Sequence, residues 1–497
     1  MSDIILSKDN QVYAKVECER HVAKELSEYF TFFVPGHQFV PAFRNRIWDG
    51  KIRLFNLTTS QIYLGLLDYI LEFAKDRGYT VDTGNTDVES EFSMYHAKKF
   101  AEELNLHSKG KKLDVHEHQL SAFVDAMQSH RRLLLSPTSS GKSLIIYMII
   151  RQLLDYQGLK GLIIVPTTSL VEQLYSDFAD YSSNNDFDVP ENVHRIYQGK
   201  EKSTNKAVTI STWQSLYKMD KEYFAQFDFV IGDEAHLFKA QSLTTILTSC
   251  INTKYRIGLT GTLDGTKTHK LVLEGLFGPV KQVITTRELI DTNKVADFEI
   301  KCLLLKYDNE ICELARDYTY QEEIEFLISN ENRNKFIRNL AVSLNKNTLI
   351  LYQMVEKHGQ ILYNMIKDTK NLGNRKVFFV HGDVDVTERE DIRRIVEEEN
   401  DAIIVASYGT FSTGINIRNL HNIIFASPSK SRVRNLQSIG RGLRKGEGKD
   451  RATLYDIADD LRHKKHLNFT LKHFIERTDI YNQEKFPYRI YKIGVKK

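Results

Sequence analysis

Between two apolar runs, Leu133–Leu135 and Leu144–Ile150, the chain places the eight residues SPTSSGKS, Ser136–Ser143. Ser and Gly pack poorly, and a lysine opening a helix faces the unfavourable end of the helix dipole. The segment makes sense as a turn wrapped around an anion. Backbone N–H groups then point at the anion's oxygens, and Lys142 supplies the charge the anion welcomes. A G-K-[ST] ending after a strand and before a helix is the phosphate-loop pattern. It confines this part of the chain to α/β architecture, with Pro137, Thr138, Ser139, Ser140, Gly141, Lys142 and Ser143 as the candidate phosphate cradle.

The surroundings carry the same rhythm. From about residue 100 to 280, apolar strand-like runs alternate with helical patterns: RRLLLSP, GLIIVP, AVTIST, FDFVIGDE and YRIGLTGT. Buried strands separated by helices predict a parallel, doubly wound sheet. After a connector near 281–300 the rhythm returns in NTLILYQ, KVFFVHGD, DAIIVASYG, HNIIFASPS and RATLYDI. The reading is two similar α/β units in tandem, residues 96–285 and 286–497, preceded by a small α+β domain over 1–95. That first region is rich in Phe and Tyr, has an amphipathic helical stretch near Ile62–Arg77, and ends in the polar segment DTGNTDVESE. A chain of 497 residues is too long for one core and agrees with several domains.

The net charge of +3 limits any nucleic-acid surface to a local patch. Cys18, Cys250, Cys302 and Cys312 are scattered without a C-x-x-C pair, which argues against a zinc site or a disulfide framework. The opening MSDIILSKDN is too short and too soon charged to be a signal peptide. The most apolar helix, Ser143–Leu154, is interrupted by Arg151 and falls short of a membrane span. A cytoplasmic protein without a membrane partner is expected.

A phosphate loop needs a carboxylate at the end of a neighbouring buried strand, and FDFVIGDEAH supplies two. Asp233 and the Ser143 hydroxyl are expected to hold Mg²⁺, and Glu234 to polarise the attacking water. An acidic pair that merely opens a solvated turn is the plainer alternative. In-line phosphoryl transfer also needs positive charge as the γ-phosphate bonds loosen. Arg441 and Arg444, spaced as one helical turn in the second unit, are candidate arginine fingers that complete the site when the units close.

SPTSSGKS, VPTTSL (165–170), TISTWQ (209–214), DEAH (233–236), LTGT (259–262), ASYGTFSTGINI (406–417) and QSIGRGLR (437–444) resemble, in order, the motifs of superfamily 2 helicases. The resemblance covers about residues 110–460, and the whole chain is similar to phage branch-migration helicases. It implies two RecA-like domains, ATP and Mg²⁺ as cofactors, and the host-cell cytoplasm as location. It also implies that Thr260 and Thr262 couple hydrolysis to movement, with His236 and Gln437 at the interface, and that Gln119 reads adenine. The chain departs from the family at His116 and His118, where arginine and tyrosine are usual, and at Ser136, Ser139, Asn416 and Ser438. Alanine or glycine is usual at the positions of Ser136 and Ser139, and glycine there tolerates φ > 0 more easily than serine.

For the track, Pro166, Thr167, Thr168 and Thr212 place small hydroxyls and backbone N–H groups at strand ends, as Thr413 and Gly414 do in the second unit. Such groups suit phosphates and cannot read bases. Ordinary helix caps at Thr168 or Ser169 are compatible with that role. Branched DNA, single-stranded DNA and RNA–DNA hybrids are the expected partners of a monomer that regresses forks, migrates junctions and removes R-loops. Further domains of the kind that follow the motor in DEAH-type RNA helicases are not expected in the fifty or so residues after Arg444. The plan is closer to XPB-like and RecG-like DNA enzymes. A double-stranded DNA translocase or annealing motor, and an ATP-gated nucleic-acid clamp, stand as alternatives.

The N-terminal segment FVPAFRNRIWDGKIRLFN (39–56) carries Arg44, Arg46, Lys51 and Arg53 against one acid, Asp49. Asp-Gly between runs of alternating character predicts a β-hairpin. Ile52 and Leu54 then face the core, Lys51 and Arg53 the other side, and Trp48 stands near the tip to stack on an unpaired base.

Overall fold

Every apolar run of the first rhythm is a strand of one seven-stranded parallel sheet. Across it the strands are Val193–Ile196, Val208–Thr212, Gly161–Val165, Phe229–Asp233, Tyr255–Thr260, Arg131–Leu135 and Val280–Gln282. Helices cover both faces, so residues such as Leu134, Ile163, Ile210 and Ile231 are fully buried, and the strands read as unbroken apolar runs. The second rhythm builds a like sheet in the order Val377–Val380, Ile403–Ser407, Thr348–Tyr352, Asn422–Phe425, Arg451–Asp460, Asp297–Lys306 and Tyr488–Gly494. The fold is two tandem parallel α/β domains preceded by a small α+β region.

The computed structural model describes residues 2–84, 91–197, 204–238, 241–370, 372–414, 417–427, 431–444 and 449–495. Residues 85–90 of the polar boundary segment, and Asn416, lie outside the described residues. By contacts the chain forms two units, Met1–Ser136 with Ser140–Ile284, and Thr285–Lys497 with Pro137–Ser139.

Residues 281–300 are more than a connector. Thr286–Asp291 is a helix with a Thr285–Glu288 capping box, and Asp297–Lys306 is a ten-residue strand paired on both sides. Glu299 and Lys301, an ion pair at 3.2 Å, interrupt the apolar pattern that marks strands such as Gly161–Val165 and Thr348–Tyr352.

The N-terminal region holds a mixed sheet in the order Phe55–Asn56, Gln61–Tyr63, Tyr13–Cys18, Ile4–Lys8 and Val81–Asp82, with helices Arg20–Tyr29 and Leu67–Arg77. The helix expected from Ile62 starts only at Leu67, because Gln61–Tyr63 pairs with Tyr13–Lys15 as a strand. The expected hairpin about Asp49–Gly50 is also corrected. Lys51–Arg53 pairs instead with Thr31–Phe33, and residues 37–44 form a 3₁₀ turn and the short helix Pro41–Arg44. Pro41 at the first helical position favours helix over strand there. The facing of the strand is as expected: Leu54 is buried, Ile52 packs on the core and Arg53 is exposed.

This sheet and the first large one share a hydrophobic cluster, in which Ile62, Leu66 and Phe73 join Leu271, Leu276 and Phe277. The 3₁₀ turn Leu64–Leu66 lies so close to the helix Lys267–Phe277 that a Cβ on Gly65 would stand 1.9 Å from the Glu274 carbonyl oxygen. The Tyr69 hydroxyl donates to Glu274 Oε2 at 2.7 Å, and the Gln11 N–H donates to Ile251 O at 3.0 Å.

Candidate functional site

In a parallel sheet all strands end at one edge, and that edge is where α/β proteins bind ligands. The register places Leu135 beside Thr260, Leu259 beside Asp233, and Val165 beside Thr212. The loop Ser136–Gly141 thus leaves the sheet next to Thr260 and close to Asp233.

The loop is built as expected. Gly141, at φ +84, precedes the helix Lys142–Gln157. Ser139, exposed, also has a positive φ of +71, which is where glycine is the less strained residue. Ser136 and Ser140 share a hydroxyl hydrogen bond of 2.6 Å, and Lys142 Nζ donates to Ser136 O at 3.3 Å. Gln119 is buried against the loop. It donates from Nε2 to Ser140 O at 3.0 Å and accepts the His116 N–H at 2.9 Å, so its amide braces the loop from behind. His118 Nε2 lies 3.0 Å from the same carbonyl.

Asp233 ends its strand buried, with Oδ1 accepting the Glu234 N–H at 2.9 Å. Burial, then the Glu234 charge, raise the Asp233 carboxyl above the usual range, while the Lys142 ammonium opposes them. Glu234 stands in the left-handed region at φ +52, opening the 3₁₀ turn Ala235–Leu237. Thr260 Oγ1 lies 3.0 Å from both Thr262 O and His236 Nδ1. The same nitrogen lies 3.4 Å from Glu234 Oε2. Glu234, His236, Thr260 and Thr262 therefore form one chain of contacts. Thr262 Oγ1 is buried with no hydrogen-bond partner among the described residues, a polar atom positioned for a bound group.

Ser143 and Asp233 offer oxygen donors of the kind Mg²⁺ takes. Among the described residues no group of three or more His, Cys, Asp or Glu is placed to hold a metal ion by itself, but Mg²⁺ is commonly held by one or two carboxylates together with substrate phosphates. The donor set fits.

Beside this site, the turns after Val165 and Thr212 lie together, tied by Gln214 Nε2 donating to Pro166 O at 3.4 Å. Thr167, rather than Thr168 or Ser169, caps the helix Thr168–Tyr181 by accepting the Leu170 N–H at 3.3 Å, and Thr168 is exposed. Thr212 Oγ1 is 3.0 Å from Ser215 Oγ.

In the second unit Thr413 and Gly414 close the helix Tyr408–Gly414. Gln437 and Arg441 lie on the helix Arg432–Gly442, whereas Arg444 lies beyond its end, in a turn where its N–H reaches Arg441 O at 3.4 Å. The even helical spacing expected for the two arginines is thus broken at Leu443. Lys449, which no motif marks, is buried there and donates to Gly442 O at 2.5 Å and Arg418 O at 3.0 Å; burial holds its ammonium down to about 7. A second unmarked residue is Tyr181, whose hydroxyl is 2.8 Å from Ser143 Oγ. Neither carries a sequence signal, since their contacts are made only in the fold.

In the N-terminal region Arg44, Arg46, Trp48 and Asp49 line an open cleft of about 820 Å³ with Gln38, Phe43 and Ile47. Trp48 is half-buried and its indole N–H donates to Lys51 O at 2.9 Å, so Ile47, 80% exposed, is the projecting apolar residue. Arg53 pairs with Asp49, and Lys51 lies over the Phe33 ring at 4.9 Å.

Three family models match: "DNA helicase UvsW, N-terminal" over residues 3–83, "Type III restriction enzyme, res subunit" over 98–265, and "Helicase conserved C-terminal domain" over 331–446. The chain is 34% identical to the ATP-dependent DNA helicase uvsW of Enterobacteria phage T4 across 96% of each chain. It belongs to the UvsW family of helicases. The crystal structure of T4 UvsW aligns over 99% of this chain and all of that one, with a TM-score of 0.53 and 32% identity. A likeness to the ATP-dependent Type ISP restriction-modification enzyme LlaBIII bound to DNA shows the fold alone: TM-score 0.58, 17% identity, 78% of this chain and 32% of that one. As a UvsW-family member the chain is a superfamily 2 helicase, and its two parallel sheets are the RecA-like domains of that class. Among the described residues no helix is long and apolar enough to cross a membrane.

Proposed function

We propose that this UvsW-family chain is an ATP-driven DNA helicase acting on branched nucleic acid: it regresses forks, migrates junctions and removes RNA from R-loops. One observation carries the reading. The phosphate loop, the Asp233–Glu234 pair and the His236–Thr260–Thr262 contacts share a sheet edge with the Pro166–Thr168 and Thr212 turns. A candidate nucleotide site and a set of donors suited to backbone phosphates thus share one sheet edge.

In this mechanism the loop N–H groups and Lys142 bind the triphosphate. Ser143 and Asp233 hold Mg²⁺, which supplies charge neutralisation on the phosphate oxygens. Glu234 accepts a proton from the attacking water. Its contact with His236, and that of His236 with Thr260, give the state of the water-activating group a route to the loop at Thr262. Arg441 and Arg444 act as arginine fingers, and Gln437 joins them when the units close. Thr167, Thr168 and Thr212, with Thr413 and Gly414 in the second unit, grip backbone phosphates without reading bases. Gln119 keeps its second amide proton for adenine. Arg44, Arg46, Lys51 and Arg53 provide the cationic surface for the branch, with Trp48 lining the cleft behind it.

The test is the ATPase rate with single-stranded DNA, blunt duplex, fork, four-way junction and R-loop, alongside strand displacement from each. Greater stimulation and displacement on the branched substrates is expected. Equal stimulation by blunt duplex without displacement favours a double-stranded DNA translocase, and tight binding with negligible turnover favours a clamp.

A further inference from the structure

The serine of the G-K-S sequence has a partner that no motif assigns. Ser143, in the first turn of the loop helix, has its Oγ 2.8 Å from the hydroxyl of Tyr181, the last residue of the helix Thr168–Tyr181. Tyr181 is held from several sides. Its ring packs edge-on against Tyr147 at 5.5 Å, and the Tyr147 hydroxyl is in turn 2.8 Å from Ser182 Oγ. Asp180 accepts the Ser108 hydroxyl and the Lys109 N–H, both at 2.8 Å.

A serine hydroxyl has one proton and two lone pairs. Facing a cation, it must send the proton away and the lone pairs forward. Of the two hydroxyls here, either can donate to the other. When Ser143 donates, Tyr181 Oη accepts the hydrogen bond, the proton stays on Ser143, and the Ser143 lone pairs are turned away from Tyr181. We propose that Tyr181 is a positioning residue for the metal: its hydroxyl accepts a hydrogen bond from the Ser143 hydroxyl and fixes that oxygen in the rotamer that binds Mg²⁺. The inference rests on the assignment of Ser143 as a metal ligand. It adds to that assignment the residue that orients it, as outer groups orient ligands in other metal sites.

The experiment titrates Mg²⁺ against the full-length protein and follows binding of a non-hydrolysable fluorescent ATP analogue, with steady-state ATPase measured in parallel. Tyr181→Phe removes only the hydroxyl. It is expected to raise the Mg²⁺ concentration for half-maximal binding about tenfold, with kcat at saturating Mg²⁺ within about twofold of the unaltered protein. Ser182→Ala loosens the same helix end through the Tyr147 contact without touching Ser143, and should leave the Mg²⁺ requirement unchanged. In a Ser143→Ala background Tyr181→Phe should add nothing. Equal shifts in Tyr181→Phe and Ser182→Ala would mean general loosening and overturn the proposal. No shift in Tyr181→Phe, with a shift in Ser143→Ala, overturns the role of Tyr181 and leaves the metal assignment standing. No shift in Ser143→Ala overturns the assignment itself, and the proposal with it.

Discussion

Glu234 keeps a left-handed backbone at φ +52 that costs a non-glycine residue roughly 1 kcal/mol. The conformation turns the chain sharply after Asp233 and leaves the two neighbouring carboxylates with separate surroundings. Asp233 is buried near Lys142, whereas Glu234 stands by His236. Separate roles predict separate defects. Lys142→Ala should lose productive nucleotide binding, and Glu234→Gln should bind ATP with Mg²⁺ yet turn over about 100-fold or more slowly. Unaltered turnover in Glu234→Gln, measured under saturating single-stranded DNA, would sink the water-activating role. Asp233 offers a test by stability. Its folded-state carboxyl is raised, so the ionised form is disfavoured by folding, and the cost is present once pH exceeds the raised value. Below the ordinary carboxylate range both states are protonated and the cost vanishes. Asp233→Asn should therefore stabilise the nucleotide-free protein near pH 8 by about 1 kcal/mol or more, lose that advantage near pH 3, and hydrolyse nothing. Thermal melts across this range check the sign. The phosphate loop and both acids were legible because phosphate chemistry fixes residue type and spacing. Tyr181 and Lys449 were not, because a tyrosine ending an ordinary helix and a lysine in a polar stretch look the same whether buried or solvated.

Elements were legible where one force set the pattern. Strands covered by helices on both faces, such as Gly161–Val165 and Ile403–Ser407, announce themselves as apolar runs. Asp297–Lys306 hides because its partners lie more than 140 residues downstream in the chain, at Arg451–Asp460 and Tyr488–Gly494. Gln61–Tyr63 hides because three residues are too few to show a period, and Leu64–Arg77 then reads backward into it as helix. Lys51–Arg53 finds its partner at Thr31–Phe33, across a helical excursion that begins at Pro41. The contact between the Leu64–Leu66 turn and the helix Lys267–Phe277 has a sharper consequence. A methyl on Gly65 meets a backbone oxygen, which has no rotamer to escape into. Gly65→Ala should destabilise the protein by about 1–3 kcal/mol, whereas Gly78→Ala, whose Cβ meets nothing within 4 Å among the described residues but whose φ is +73, should cost about 1 kcal/mol through backbone strain. Denaturant unfolding of the two variants distinguishes packing from strain; an equal, small loss in both refutes the tight seam.

On the scale of the whole molecule, catalysis by two units and recognition by the N-terminal region make different demands. Arg441→Ala or Arg444→Ala should leave nucleotide affinity within about threefold and cut DNA-stimulated hydrolysis by a factor on the order of 10³. Weakened nucleotide binding with normal turnover at saturation would remove the arginine-finger role. The N-terminal region cannot be tested by deletion. Leu271, Leu276 and Phe277 share its core, so removing residues 1–95 would bare apolar surface on the first motor sheet and confuse folding with recognition. Charge reversal is the cleaner experiment, and the structure selects its positions. Arg53 is best left, since it pairs with Asp49 in the turn before its strand. Arg44 and Arg46 are exposed beside Ile47, and Lys51 stands over Phe33 on the same knob. Changing Arg44, Arg46 and Lys51 to Glu should weaken fork and four-way-junction binding while hydrolysis under saturating single-stranded DNA survives. If the three cations meet phosphates, the slope of log affinity against log salt should flatten by about 0.9 for each, so the advantage of the unaltered protein shrinks as salt rises. Junction affinity and slope both unchanged at low salt, in a variant that melts normally, would assign the knob to the scaffold and move branch recognition elsewhere on the chain.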